Sequence, residues 1–450
     1  MGVTFLHTAD FHLGSPLRAV EAASESLAER LQRATHEALR RVIQVALDED
    51  VDFVVVAGDL YDQQARSVYA NEFLVNQFER LEDADIPCYV VHGNHDPLGA
   101  GAEKLPLPDN VHVFGADDVE TVLYPNDDEP EARIMGQSYG SQWESNSLYY
   151  HYTPPDTAIP NIGLLHTGLN PDGRRYAPCG PSDLAQKEID YWALGHIHTP
   201  RLVDGAPAAY AGIPQGRNIG ETAVGGCLLV DVDAGGDPDI EFVPTSPIVW
   251  QEIVVDLGTA STDDDTPLRN LADAEGYLEE RMLDLRVADQ DSLTDTLPMP
   301  VAETDWMPEG FVCRWTLSGR GELSEALDEE ATDVLANRLR ERSSSASPFV
   351  WTESVRDYSA PPLPDLETLV ESDEIISELV ELSNEIRADD AARAALRART
   401  GDVWEWRTDE EHEDVSEERI ALDEERLDDL IDRAVTRSID ELATRRDNAN

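Results

Sequence analysis

The chain has 450 residues, more than one hydrophobic core usually spans, so more than one domain is expected. Its 34 basic and 92 acidic side chains leave a net charge of −58, whereas an ordinary small domain carries a magnitude of ~2–8. The acids are spread along the whole sequence and 41% of the residues are hydrophobic, which excludes both a local acidic tail and a disordered acidic chain.

This pattern fits a halophile protein kept soluble in molar salt by hydrated carboxylates. Molar salt also shortens the Debye length to ~3 Å, so the negative charge does not exclude a nucleic-acid partner. Only Lys104 and Lys187 are lysines; the other basic residues are arginines, which can grip phosphate bidentately. Four scattered cysteines (Cys88, Cys179, Cys227, Cys313) without a CxxC spacing read as buried thiols of a reducing compartment. The sequence opens on a strand with no signal peptide, and no run approaches ~20 apolar residues, so a cytoplasmic protein without a membrane span is expected.

Val3–Thr8 alternates as a strand and runs into Asp10-Phe11-His12, two side chains leaving one face of extended chain. An amphipathic helix is predicted over Ala22–Asp48. Val51–Ala57 is β-branched with few polar breaks, the mark of a strand buried on both faces, and it stops at Gly58-Asp59-Leu60-Tyr61-Asp62. A second helix over Val68–Asp83 precedes a third strand, Pro87–Val91, which ends in His92-Gly93-Asn94-His95-Asp96. Short strands follow at Val111–Phe114, Val119–Leu123 and Arg133–Gly136. Ile162–Thr167 is an apolar run containing His166, and Tyr191–Gly195 runs into His196-Ile197-His198. After Ala209–Gly212 and Gly226–Val232 the first domain ends near residue 246.

From Val249 the pattern restarts. Strands are predicted at Glu252–Leu257, Gly310–Leu317 and Phe349–Val355, and helices at Leu268–Leu283 and Leu323–Arg340, with a disordered-looking stretch over 288–309. Pro361–Pro364 reads as a linker. Two helical stretches, Ile375–Thr400 and Glu417–Arg445, make the tail; Trp404 and Trp406 between them are either tail core or docking anchors.

In open α/β sheets, sites lie beyond the carboxyl ends of strands. Here those ends offer Asp10, His12, Asp59, Asn94, His95, His166, His196 and His198. A lone histidine at a strand end is usually structural; the ordered set is not. Carboxylate and amide oxygens mixed with imidazoles suit Mn²⁺ or a related divalent ion. His7 alternates inward, as a core residue or one behind the ligands; His92 precedes the turn and reads as structural; His36, His112, His151 and His412 fit no ligand spacing.

Asp-x-His, Gly-Asp, Gly-Asn-His-Asp, His and Gly-His-x-His in this order over residues 10–198 resemble the calcineurin-like metallophosphoesterases. Within that family the chain resembles the SbcD-type exonuclease subunits of double-strand-break repair, YhaO-like repair exonucleases among them. Thr8–Gly14, Gly58–Asp62, Val91–Asp96, Gly136-Gln137-Ser138-Tyr139 and Tyr210–Arg217 carry that likeness. The resemblance implies an α/β fold of four layers, a β-sandwich flanked by helices, over 1–246. It also implies a small α/β capping, DNA-binding domain over 249–357 and a helical C-terminal region, 365–450, that docks an SbcC-like coiled-coil ATPase. Two Mn²⁺ or related ions are implied, with Asp59 bridging, Asp10, His12 and His198 completing one site, and Asn94, His166 and His196 the other. His95 is implied as the catalytic residue that acts on the phosphate, oriented by Asp96. Asp62 stands where archaeal and eukaryotic double-strand-break nucleases carry a substrate-handling histidine and bacterial-type members often have Asp, and Arg217 is either a phosphate contact or a structural ion pair. The implied activity is DNA exonuclease/endonuclease cleavage of DNA ends by a homodimer; the alternative is another metallophosphoesterase acting on nucleotides or phosphoproteins.

Overall fold

In the computed structural model, the described residues are 2–362, apart from 16, 18–24, 63–66, 100–106, 156–158, 172, 174, 263 and 344–345. Further along they are 374–389, 391–396, 427–428, 430–435 and 437–438. Trp404, Trp406 and most of the second predicted tail helix lie outside them. The chain divides into two compact units, one of Met1–Ile253, Leu278–Trp315 and Asp333–Val355, the other of Val254–Tyr277, Thr316–Thr332 and Arg356–Asn450.

Alternation of apolar side chains along each strand builds the first unit. β1 (Gly2–Thr8), β2 (Phe53–Ala57), β3 (Cys88–Val91) and β4 (Val111–Val113) pair in parallel. Helices α1 (Glu25–Asp48) and α2 (Val68–Glu82) form their crossovers. Antiparallel β11 (Gly226–Asp233) and β12 (Asp239–Pro244) complete a six-stranded sheet in the order β12-β11-β1-β2-β3-β4. Leu6, Val54, Val56, Cys88 and Val90 point to one face, where Leu39, Val42, Ile43, Leu74, Phe78 and Leu81 of the two helices cover them. Residues at odd positions point the other way: Phe5 stacks on Phe53 at 4.9 Å and meets Tyr191 edge-on at 5.5 Å. Each such aromatic or aliphatic side chain contributes ~1.5–3 kcal/mol on burial.

Tyr191 belongs to a second six-stranded sheet, β5-β6-β7-β8-β10-β9. Its strands are β5 (Glu120–Tyr124), β6 (Ala132–Gly136), β7 (Asn161–His166), β8 (Tyr191–Gly195), β9 (Arg201–Leu202) and β10 (Ala208–Tyr210). Its outer face buries Leu165, Trp192, Leu194 and Tyr210 with Tyr152 and Leu184, the latter on the short helix α3 (Pro181–Ala185). Helices, sheet, sheet and a covered outer face give the four layers expected. The sheets approach closely where the strands end: a Cβ on Gly195 would overlap the Ala57 carbonyl oxygen.

β13 (Ile248–Asp256), β14 (Gly310–Ser318) and β15 (Phe349–Asp357) form a three-stranded sheet. Trp250, Val312, Phe349 and Trp351 pack with Leu27, Leu31 and Ala34 of α1. Four sequence expectations shift here. The strand predicted from Glu252 begins at Ile248. The helix predicted over Leu268–Leu283 is α4 (Leu271–Val287). The stretch expected to be disordered, 288–309, holds α5 (Gln290–Thr294), whose cap Asp289 accepts from Ser292 N. Phe242 N donates to Pro300 O and Trp306 Nε1 to Ser246 O (3.1 Å), so backbone and indole bonds order it without a hydrophobic period. The predicted helix Leu323–Arg340 is a 3-10 turn, Glu322–Ala326, followed by α6 (Glu329–Ser343). In the second unit, α7 (Glu374–Ala388) leaves Ile375 and Leu382 exposed. There Arg387 pairs with Asp432, and Arg393 with Asp428 at 2.6 Å.

Candidate metal centre

Each predicted strand end delivers its side chain to one point. Beyond β1 the backbone bonds to the loop after β2, Asp10 N to Gly58 O (2.9 Å) and His12 N to Asp59 O (3.0 Å). Asp10, His12 and Asp59 take left-handed backbone angles (φ 53°, 42° and 52°), and His196 has φ 99°. Such conformations cost on the order of 1–3 kcal/mol each and persist only where the surroundings impose them. Here they turn four polar side chains, those of Asp10, His12 and Asp59 buried and that of His196 partly buried, toward one another.

Three groups of metal-binding type result: Asp10, His12 and His198; His12, Asp59 and His95; Asp59, His166 and His196, the ligand atoms of each lying within 4.8 Å of one another. Asn94 joins the last group, its Oδ1 lying 2.9 Å from His166 Nε2 and 3.1 Å from His196 Nδ1. The two six-stranded sheets thus combine at a binuclear divalent-metal site.

The proton inventory tests the fit. His166 Nδ1 donates to Ala57 O (2.9 Å), which leaves Nε2 of the neutral ring with a lone pair. That lone pair faces Asn94 Oδ1 and, at 3.3 Å, Asp59 Oδ2, both acceptors. His198 Nδ1 donates to Glu221 Oε1 (2.7 Å), so its Nε2 also carries a lone pair, 3.2 Å from His12 Nε2. Converging lone pairs beside buried carboxylates demand a positive charge, and a divalent cation supplies it where they meet.

Charges in the cluster are consistent with this. Burial lifts the Asp10 carboxyl to about 6. Burial also opposes charge on Asp59, yet His166, His95 and His12 outweigh it and hold that carboxyl well below the usual range. Burial pushes His12 and His196 well down, keeping them neutral donors of lone pairs. At His166 burial acts downward too, but Asp59 and Asp10 raise the imidazole to about 9, so a proton and a metal ion compete for its Nε2 lone pair, either one supplying the positive charge that the carboxylates call for.

His95 sits beside the cluster, its ring 4.7 Å from that of His12 and its backbone N–H donating to Asp59 Oδ1 (2.9 Å). Burial lowers its basicity, but Asp59 and Asp62 raise it above the ordinary value. The carboxylate next to its ring is Asp62, Oδ1 3.8 Å from Nδ1, with Oδ2 accepting from Ser15 Oγ (2.8 Å). Asp96, expected to orient His95, does something else. Its oxygens accept from Leu60 N and Gly93 N (both 2.9 Å), and one of them lies 3.0 Å from His92 Nδ1. The chain bends over residues 94–96, and Asp96 holds the loops after β2 and β3 together. His92 is structural, as its position before the turn suggested. His7 is a core residue, bonded through Nδ1 to Tyr191 OH (2.8 Å) and through Nε2 to Leu194 O (3.1 Å).

Arg217 forms the ion pair that was one of its two readings. Its Nη2 lies 3.3 Å from Glu221 Oε1, an ion pair, while its Nε is buried with no hydrogen-bond partner. Sequence reasoning missed Glu221, which links His198 and Arg217. His198 and Arg217 hold this buried carboxylate down at about 2 against the upward push of burial. Its only signal was an acid four residues beyond Arg217 in a Gly-rich loop. The motif residues around it are structural: Gln215 Nε2 donates to Ile248 O (2.9 Å), and Ser138 Oγ accepts from His92 N (2.9 Å). Tyr139 OH supports His166 by donating to its carbonyl (2.7 Å).

Residues 3–200 match the family of calcineurin-like phosphoesterases, and every residue of the three metal-binding groups lies within that stretch. The chain is similar to the metallophosphoesterase YhaO of Bacillus subtilis (strain 168), with 36% identity over 262 residues, 57% of this chain and 64% of that one. It is also similar to the DNA double-strand break repair protein Mre11 of Aeropyrum pernix, with 28% identity over 276 residues, 56% of this chain and 63% of that one. A third relative is the SbcD component of the nuclease SbcCD of Bacillus subtilis (strain 168), 24% identical over 339 residues, 64% of this chain and 81% of that one. The match thus spans less than two thirds of the length of the first two relatives. No described helix is long and apolar enough to cross a membrane.

Proposed function

We propose that this protein is a metal-dependent DNA exonuclease/endonuclease that hydrolyses phosphodiester bonds at DNA ends during double-strand-break repair. The observation that carries the reading is the convergence of ligand atoms from both sheets, with the His95 imidazole beside them. The names of two relatives point the chemistry toward DNA.

Asp59 is shared by two of the three ligand groups, which supports it as the bridging carboxylate. Asp10, His12 and His198 then hold one ion, and Asn94, His166 and His196 the other. Two divalent ions there, Mn²⁺ or related, supply charge for the phosphate and a water of lowered pKa. His95, kept basic by Asp59 and Asp62, holds a proton for the leaving oxygen. The free Nε of Arg217 offers a donor to a phosphate oxygen. Residues 249–357 act as a capping, DNA-binding domain. The region 365–450, with the exposed Ile375 and Leu382 of α7, docks an SbcC-like coiled-coil ATPase. A cytoplasmic homodimer working in molar salt completes the reading.

The test is cleavage of single- and double-stranded DNA ends in Mn²⁺ and molar KCl. The expected result is metal-dependent release of nucleotides. Hydrolysis of free nucleotides with intact DNA overturns the nuclease assignment and leaves the phosphoesterase.

A further inference from the structure

An aromatic ledge runs from the metal centre toward solvent. Tyr176 lies against the His196 ring, centroids 4.4 Å apart and planes 34° apart. Trp143 follows at 5.9 Å from Tyr176, and the Arg175 guanidinium lies over the Trp143 ring, 4.1 Å from its centroid. Ala177 N donates to Glu144 O (2.8 Å), which ties together the two loops that carry these residues. Tyr176 and Ala177 both have left-handed backbone angles (φ 62° and 49°), so the chain is turned deliberately at this point.

Packing does not account for the ledge's outer end. The other described tryptophans, 192, 250, 306, 315 and 351, are all buried, while Trp143 is 41% exposed. An indole capped by a guanidinium and left in water is a surface suited to a flat π-system. The guanidinium also places positive charge next to the site in a chain of net charge −58.

We propose that Trp143 and Arg175 form a stacking platform for an unpaired nucleobase of the strand whose phosphate lies at the metal centre, so that single-stranded or frayed ends are preferred. This rests on the nuclease reading and names its substrate more closely. Two ring contacts separate Trp143 from His196, a reach of about three stacked nucleotides at ~3.4 Å each. Stacking is tolerant of sequence because every base has a π-face, so the platform selects strandedness and not sequence.

The experiment compares wild type, Trp143→Ala and Trp143→Phe on three substrates: a single-stranded oligonucleotide, the same strand with abasic terminal residues, and bis(p-nitrophenyl) phosphate. Trp143→Ala is expected to lower kcat/KM on the intact strand by roughly 5- to 150-fold. On the abasic strand and on the small diester it matches wild type, and Trp143→Phe recovers most of the loss. An equal loss on the base-free diester, or none on the intact strand, overturns the platform. A binding measurement runs alongside: fluorescence of a 2-aminopurine-ended strand is expected to be quenched by wild type and not by Trp143→Ala. Quenching without DNA cleavage sinks the nuclease reading and keeps the platform. Cleavage with equal quenching by both proteins does the reverse.

Discussion

The two sheets meet the metal centre with different chemistry. The loops of the first, after β1, β2 and β3, bring both carboxylates, the Asn94 amide and His12, on backbone held in left-handed angles at three positions. The second, after β7 and β8, brings only imidazoles: His166, His196 and His198. Two of these are fixed through their other nitrogen, by the Ala57 carbonyl and the Glu221 carboxylate. The first sheet therefore supplies charge, at the expense of backbone strain. The second supplies imidazole nitrogens whose direction is set by hydrogen bonds. Two of the three ligand groups need both sheets.

Removing charge from the first sheet should have the largest effect. Asp59→Asn keeps the shape of the shared carboxylate and loses its charge. Metal content is expected to fall below two ions per chain, and the phosphodiesterase rate by more than the ~10²–10⁴ typical of losing a general acid. His95→Asn is the control from the same sheet: full metal content, with kcat lower by about that 10²–10⁴. Metal analysis of the two variants separates them. An Asp59→Asn protein that keeps both ions breaks the assignment of charge to the first sheet.

On the second sheet the corresponding change is Glu221→Gln, which preserves an acceptor for His198 Nδ1 but not the negative charge. Loss of such an outer partner typically costs ~10–100-fold in metal affinity. Competition with a chelator should show one ion weakened by that factor and the other unchanged. Equal weakening of both ions would mean that Glu221 supports the fold of the loop and not the aim of His198.

How far each half was legible follows from the same difference. Asp10, His12, Asp59, Asn94, His166, His196 and His198 all sit at or just past strand ends, and strands are visible as short apolar runs, so the sequence placed them together. Glu221 lies in an irregular loop between β10 and β11, where no period operates, and its partner His198 is 23 residues away. The role of Asp96 was misjudged for a related reason. Adjacency to His95 in sequence says nothing about direction once the chain bends over residues 94–96, and the carboxylate next to the His95 ring is Asp62, from another loop. The order within 288–309 was invisible because it rests on backbone bonds and one indole N–H.

The smallest effect expected concerns His7, a polar link between the sheets near the end of β1. It is fully buried on β1 and bonds Tyr191 OH and Leu194 O of β8. Burial, only partly offset by the Leu194 carbonyl, lowers its pKa from 6.5 to about 3. The Tyr191 hydroxyl beside it is pushed far up by burial and stays neutral. Above pH 6.5 the imidazole is neutral in folded and unfolded chains alike, and contributes no pH dependence. As the pH falls below 6.5 the unfolded chain takes up a proton that the native chain refuses. Stability therefore drops by up to ~1.4 kcal/mol per pH unit until the native group titrates near 3. Carboxylates obscure this below about pH 5, so the window to use is pH 7 to 5. His7→Gln keeps hydrogen-bonding capacity and cannot take up the proton. The stability difference between wild type and His7→Gln, from denaturant unfolding, should shift by about 1–2 kcal/mol against wild type across that window. A constant difference would show that the native sandwich admits the proton at His7, and hence that water reaches the space between the two sheets.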